Sequence, residues 1–382
     1  MIIGVSSVIL VGAAIEGLGV YAETSSAKAF GTDSYLIAQI AAVGRLDRKE
    51  RLAKLRYNKQ IRDEDISYLR ETTGDRILYS PYRQRPDDVR RGEQVYEAAT
   101  ILGVSSSMPD IRDITLTDGR FFTEQEERSR QQLAVIGEEI RSQFFGASAG
   151  LGQILKIRGY DFTVIGIQEK LGSTFGRSQD NSVWIPASVF TRIYGPERSL
   201  AVFGRPKGDM EFDEALDLTR VALRSRFKAR PGAPDNFDTL TPDSIRAFVG
   251  NILGIISAVV VPVTLISLVV GGIVIMNIML VSVTERTREI GMRKSVGARR
   301  ADIRLQFLVE AVIMSAAGGL LGLALGALVC SALSIALGIA LPVSIPYVVL
   351  SIAISTIVGV VSGWYPSSRA ASLDPVVALR AE

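Results

Sequence analysis

Two long stretches of this 382-residue chain, 247–284 and 311–368, contain no charged residue. A hydrocarbon core about 30 Å thick is crossed by roughly 20 apolar residues in a helix. The first stretch therefore predicts one membrane span, over 251–283. The second is about twice the length that one span needs. It is interrupted at LPVSIP, where Pro342 and Pro346 stop a helix and mark a turn. It predicts two spans, 305–338 and 344–364, joined by a turn at 339–343. A further apolar run, IIGVSSVILVGAAIEGLGVYA, opens the chain. Val20-Tyr21-Ala22 resembles a signal-peptide cleavage site, but no basic region precedes the run, and it reads as a first span over 1–22.

Between the first and second spans the pattern changes. Residues 23–250 are rich in Lys, Arg, Asp and Glu, and short helical and strand periods alternate along them. RDEDISYLRETTGD predicts a helix and QVYEAATILGVS a strand. TLTDGRFFTEQEE predicts a tight turn at Asp118-Gly119 and then a short helix. QILKIRGYDFTVIGIQEK alternates with period two and predicts a hairpin turning at Gly159-Tyr160. SVWIPASVFTRIYG predicts a strand entering a helix through Pro186. EFDEALDLTRVALRSRF predicts an amphipathic helix with Phe212, Leu216, Val221, Leu223 and Phe227 on its apolar side. KLGSTFGRSQDNS, at 170–182, reads as a polar loop, and KARPGAPDNFDTLTP as a Pro-rich lead into the second span. The fold class is a membrane protein: four transmembrane α-helices, with a large α+β extracytoplasmic domain at 23–250 inserted between the first and second helices.

Charge sets the orientation. The net charge of +3 is carried entirely by 284–382, and the loop 284–304 alone holds seven basic residues against three acids. Basic loops of this kind stay on the cytoplasmic side. That places 23–250 outside, leaves 365–382 as a cytoplasmic tail, and predicts a multi-pass protein of the bacterial cytoplasmic membrane. A positive surplus confined beside membrane spans points to no nucleic-acid partner. There is no histidine, which removes Ser-His-Asp and Cys-His catalysis and the usual zinc sites. Cys330 stands alone, so no intramolecular disulfide forms. No GxxxxGK[ST] phosphate loop occurs, so ATP is not bound by that route. Carboxylates in 23–250 mostly alternate with Arg and Lys, as on a solvated face, and no pair is marked out for glycoside hydrolysis.

Within the spans, Gly318, Gly322 and Gly326 recur every fourth residue. Small residues at that spacing let helices approach closely in lipid, and predict a packing seam within the bundle or across a dimer. No charged residue lies in the middle of the last three spans, which argues against an ion or proton path through them.

The basic loop carries more order than charge bias needs. On a helix, Glu289 and Arg293 form a favourable i, i+4 pair. Glu285 shares the face of Glu289, with Arg286 and Arg288 to either side. Ile290, Met292 and Val296 interrupt the charges and offer apolar surface to a partner. Ser295-Val-Gly-Ala predicts a helix stop with Gly297 at positive φ, and Ala301-Asp-Ile-Arg begins the next helix. The expectation is helix, sharp turn, helix at the cytoplasmic surface.

TERTREIGMRKSVGARRADIRLQFLVEAVIMSAAGGLLGLALG strongly resembles the signature of the MacB-like, FtsX-type ABC transporter permeases. The ending YPSSRAASLDPVVALRAE and the start IGVSSVILVGAAIEG are similar to the same family. GRFFTEQE, AVIGEEI, FTVIGIQEK and VWIPASVF resemble its periplasmic core, which is split into a porter-like and an inserted subdomain. Glu310, Gly318-Gly319 and Gly322 fit the acid and the glycines of the family's following span. The resemblance implies that the loop is a coupling helix docking into a separate or fused ATPase. Glu285, Arg286, Arg288, Glu289, Ile290, Gly291, Arg293 and Gly297 are its docking residues. It implies no cofactor on this chain, with ATP on the partner subunit, a homodimer, and a periplasmic adaptor with an outer-membrane channel beyond it. Two features depart from the family. Full-length MacB-type exporters carry an ATPase domain on the same chain, and family permeases usually begin with a basic cytoplasmic helix. An upstream coding stretch rich in Arg and Leu is therefore expected.

The function expected is that of a non-enzymatic permease subunit of a mechanotransmitting ABC exporter. The alternative is a regulatory permease that controls an extracellular enzyme or sensor without transport. A membrane-tethered binding domain would leave the helix–turn–helix loop as an accident.

Overall fold

The computed structural model describes all residues other than 32, 45, 147, 149, 175, 176, 338, 339, 381 and 382. The chain divides into two units, Met1–Tyr21 with Val249–Glu382, and Ala22–Phe248. In chain order the elements run α1 (Ile2–Phe30), β1 (Tyr35–Ala38), α2 (Arg48–Tyr57), α3 (Asp63–Thr73), β2 (Ile77–Arg91), β3 (Gln94–Val104), α4 (Met108–Arg112), β4 (Leu116–Gly119) and α5 (Glu124–Arg128). They continue through β5 (Leu133–Ile136), α6 (Glu138–Phe145), β6 (Ile154–Ile157), β7 (Tyr160–Gln168), β8 (Ser173–Thr174), β9 (Arg177–Ser178), β10 (Ser182–Pro186), α7 (Ala187–Tyr194), β11 (Ala201–Pro206), α8 (Phe212–Arg226) and β12 (Asp238–Leu240). Five helices close the chain: α9 (Pro242–Glu285), α10 (Thr287–Ser295), α11 (Arg300–Leu337), α12 (Ile345–Ser372) and α13 (Pro375–Arg380).

The 22–248 unit is built on one mixed sheet, β12-β1-β11-β2-β3-β10-β5-β7-β4, with β6 pairing β2 and β7. The long strand β2 serves two neighbourhoods. Its residues Ile77–Tyr82 pair with β11, and Arg83–Arg91 pair with β3. On the first half, α3 and α8 cover β1, β2 and β11 around Tyr35, Leu69, Tyr79 and Leu223. The hydroxyl of Thr219 sits 2.6 Å from both buried phenols, Tyr35 and Tyr79, and donates to the Ala215 carbonyl. The second half carries its own core around Ile101, Ile140, Phe162, Val183 and Phe190. On the opposite sheet face, Trp184, Phe203 and Phe122 form a third cluster.

Several expected elements stand where the periodicity put them, among them the helix at Asp63, the strand β3 and the β10–α7 passage through Pro186. Others need correction. Val221 is 65% exposed. The inward line of α8 is Ala215, Thr219, Ala222 and Leu223, and Val221 lies on the opposite side at 100° per residue. The β6–β7 hairpin turns at Arg158-Gly159, both at positive φ, one residue before the expected pair. The polar stretch 170–182 holds the small β8–β9 ribbon, while Phe175 and Gly176 lie outside the described residues. The Pro-rich lead contains β12, an edge strand that pairs with β1.

In the other unit, the four helices α1, α9, α11 and α12 are long and apolar enough to cross a membrane. Helix α9 has 44 residues, about 66 Å at 1.5 Å per residue. It begins earlier than expected because Pro242 takes the first helical position and the Thr241 hydroxyl accepts from the Ser244 N–H (3.2 Å). Helix α12 passes the expected end at 364 and runs through Pro366, since Pro366, Ser367, Ala370 and Ala371 are all buried. Most of the expected tail is therefore helical. Ile339, in the expected 339–343 turn, lies outside the described residues.

Helix α11 is pressed from two sides. A Cβ on Gly322 would come within 2.8 Å of Val5 Cβ and the Ile2 carbonyl, and one on Gly326 within 3.1 Å of Ile9 Cβ. Gly318 meets Met1 at 3.1 Å. The glycine seam thus faces α1 of the same chain, where the Ser6 hydroxyl lies 2.8 Å from the Gly322 carbonyl. The other side of α11 meets α12. Ser315 donates to the Ser355 carbonyl (2.5 Å), and Ser355 donates back to Ser315 (2.7 Å). Cβ atoms on Gly359 or Gly363 would fall within 2.7 Å of Ser315 Cβ or 2.5 Å of Ala311 Cβ.

A Gly322→Leu substitution should force α1 away from α11 and destabilise the detergent-solubilised protein by about 1–3 kcal/mol, read as a lower melting temperature. Gly254→Leu, where a Cβ meets nothing within 4 Å, should melt like the wild type. Equal melting of the two variants would contradict the seam.

Candidate coupling site

Helix α10 follows α9 after one residue, Arg286, whose φ of −95° and ψ of 15° break the helix. The Thr287 hydroxyl reaches the Thr284 carbonyl (2.7 Å) and the Val283 carbonyl (3.0 Å), tying the two helix ends together. At its far end α10 closes with a Schellman motif. The Gly297 N–H donates to the Lys294 carbonyl and the Ala298 N–H to the Arg293 carbonyl, each at 3.1 Å, with Gly297 at φ 102°. The sharp turn therefore depends on a glycine at 297, as the residue order predicts. Asp302 then accepts from the Arg299 N–H (3.1 Å) at the start of α11.

The two sides of α10 differ. Ile290 and Gly291 are buried, with Ile290 packed among Val283, Ile303, Phe307 and Ala370. They fix the helix on its own bundle. Met292 and Val296, 50% and 89% exposed, face outward and line a groove of about 600 Å³ with Ala298, Ile303 and Gln306. Of the charged residues, Arg286 pairs with Glu310 of α11 at 3.3 Å. Arg293 joins Glu289 (2.5 Å) to Gln306 (2.6 Å), bracing α10 against α11. Glu285 and Arg288 are exposed and make no ion pair among the described residues. So Arg286, Glu289, Arg293, Ile290, Gly291 and Gly297 shape and hold the element, while Glu285, Arg288, Met292 and Val296 present its open surface.

One residue of the site went unread in the sequence. Lys294 donates to the carbonyls of Ala371 (2.5 Å) and Leu373 (2.7 Å), satisfying orphan acceptors at the C-terminal end of α12. Burial first, and Arg300 second, push its ammonium below the usual lysine range, while Asp374 opposes them. Helix α13 packs directly on α10 beside this clasp.

A MacB-like periplasmic core domain matches residues 1–220, and an FtsX-like permease C-terminal domain matches residues 261–375. The chain belongs to the MacB-like ABC transporter permease family. The FtsX-like match takes in α10, the Gly297 turn, both faces of α11 and the Lys294 clasp. Relatives include the macrolide export ATP-binding/permease protein MacB of Bdellovibrio bacteriovorus, 39% identical over an alignment of 292 residues that covers 74% of this chain and 44% of that protein. MacB of Neisseria gonorrhoeae is 37% identical over 286 residues, 74% of this chain and 43% of that protein. The chain spans less than half the length of these curated relatives. The solved periplasmic region of MacB from Actinobacillus actinomycetemcomitans is also similar, at 18% identity and a TM-score of 0.47, covering 59% of this chain and 96% of that one.

Replacing Lys294 by Met should leave two carbonyls without their charged donor and cost about 1–2 kcal/mol. The loss should appear as faster amide exchange confined to 370–380. Exchange there unchanged from wild type would show that the clasp does not hold this MacB-like C-terminus.

Proposed function

We propose that this chain is the permease subunit of a mechanotransmitting ABC transporter in the bacterial cytoplasmic membrane. ATP binds and is hydrolysed on a partner ATPase, which docks on α10. Movement of α10 passes through the bundle to the 22–248 unit, and that unit drives substrate outward. Macrolide export, the activity in the relatives' names, is the starting hypothesis for the substrate. Two copies of the chain would act with two ATPases, and a periplasmic adaptor and outer-membrane channel would complete the route.

The observation that carries this reading is the asymmetry of α10. A short helix gains from exposed Met292 and Val296 only if something covers them, because none of the described residues of its own unit does. Its inner side is seated by Ile290, and the Arg286–Glu310 and Arg293–Gln306 contacts couple any push on it to α11. The positive surplus of 284–304 supports the cytoplasmic placement. Glu285 and Arg288 are then available for charge pairing with the ATPase.

Changing Met292 and Val296 together to Asp should abolish co-purification of the chain with its ATPase in mild detergent and leave its melting temperature within a few degrees of wild type. Retention of the ATPase by this double variant would place the docking surface elsewhere.

A further inference from the structure

The 22–248 unit contains a buried arginine that no acid among the described residues pairs with. Arg112 closes the five-residue helix α4, and its side chain is only 6% exposed. Among the described residues its guanidinium makes no ion pair, and its Nε has no hydrogen-bond partner. Its contacts are aromatic: the cation lies 5.3 Å from the centre of the Trp184 ring and 5.6 Å from that of Phe203. Tyr82 packs edge-on against Phe203 with ring centres 5.2 Å apart. Trp184 is locked in place by its indole N–H, which donates to Gln168 (3.0 Å), and Gln168 also accepts from Ser182 (3.0 Å). An ion held this way gains some cation–π attraction, but a buried charge without a counter-ion is costly. A fold keeps such a group where something else completes it.

The surroundings state what that would be. Arg112 lines a cavity of about 400 Å³ with Tyr82, Gln84, Gln179, Asn181 and Trp184. No Asp or Glu is among its described lining residues. Gln84 and Asn181 use their side-chain oxygens as acceptors, for Tyr82 and Thr100, and their amide nitrogens make no hydrogen bond among the described residues. The cavity therefore offers a guanidinium fork and two amide donors against an aromatic wall, with no negative charge of its own. The neighbouring cleft between α3 and α7 differs. There Arg83 is already paired with Asp63 at 2.5 Å, and Glu127 adds a further acid.

We infer that the Arg112 cavity is a binding site for a small molecule bearing an oxyanion, a carboxylate or a phosphate, with an apolar part that lies on Trp184. The site belongs to the 22–248 unit and stands independently of ATPase docking at α10. The oxyanion accepts two hydrogen bonds from the Arg112 fork and further ones from Asn181 and Gln84, and neutralises the buried charge.

The chain has two tryptophans, Trp184 and Trp364. In the full-length Trp364→Phe protein in detergent, Trp184 alone reports on the cavity. Its fluorescence should change saturably on titration with butyrate or with butyl phosphate at constant ionic strength, and the tighter of the two identifies the class of oxyanion. In the same background Arg112→Lys should weaken that probe at least about tenfold, and Arg112→Met should abolish it while melting no lower than its parent. No saturable change with either probe, or an unchanged response in Arg112→Met, overturns the inference. Should Arg112→Met melt lower, Asn181→Leu decides instead, since it leaves the cation and its rings intact. Weaker binding there supports the site, and unchanged binding overturns it.

Discussion

In hydrocarbon, apolar helices gain nothing by hiding from water, so a bundle is held by how closely its backbones approach and by the few hydrogen bonds that approach permits. Helix α11 is where this constraint is met twice. Its glycines at 318, 322 and 326 admit α1 on one side, and Gly319, Ser315 and Ala311 admit α12 on the other. The reciprocal Ser315–Ser355 hydrogen bonds are possible only because no larger side chain holds the two helices apart. Helix α10 in turn takes part of its seat from this helix.

The candidate coupling site shows how. Helix α10 has nine residues, too short to be stable alone. It persists because Ile290 enters the cluster formed by Phe307, Ile303 and Ala370, residues that α11 and α12 hold in register. The Schellman turn at Gly297 fixes its direction, and Lys294 ties it to the end of α12. The outer surface left open is small, partly apolar and edged by Glu285 and Arg288. A part so firmly seated on one side and so bare on the other suits the transfer of displacement better than the binding of a small ligand. In the proposed mechanism the glycine-packed helices are the relay.

What could be read from the residue order follows from the range of the physics. The spans, the proline break at LPVSIP, the seam glycines and the Gly297 turn are local patterns, each set by neighbours within a few residues. The most specific part of the family resemblance is likewise one continuous segment around α10. Lys294 was missed because its acceptors lie about eighty residues away, and nothing nearby distinguishes it from the other basic residues of the loop. Arg112, in MPDIR, looks like a surface arginine until Trp184 and Phe203 arrive from distant strands. The strands β1 and β12 have four and three residues, too few to show a period, and exist by pairing with β11 and with each other. Val221 faces outward because helical angle, not hydrophobicity, decides its side, whereas Thr219, a polar residue, holds the inward position by bridging two tyrosines.

The central claim is that nucleotide on a docked ATPase changes the state of the 22–248 unit. Hydrogen–deuterium exchange across that unit, measured in the permease–ATPase complex with and without a non-hydrolysable ATP analogue, tests it most directly. The account predicts nucleotide-dependent exchange differences in 22–248 as well as in α10. Differences confined to 284–304, with the rest of the chain unchanged, would contradict it.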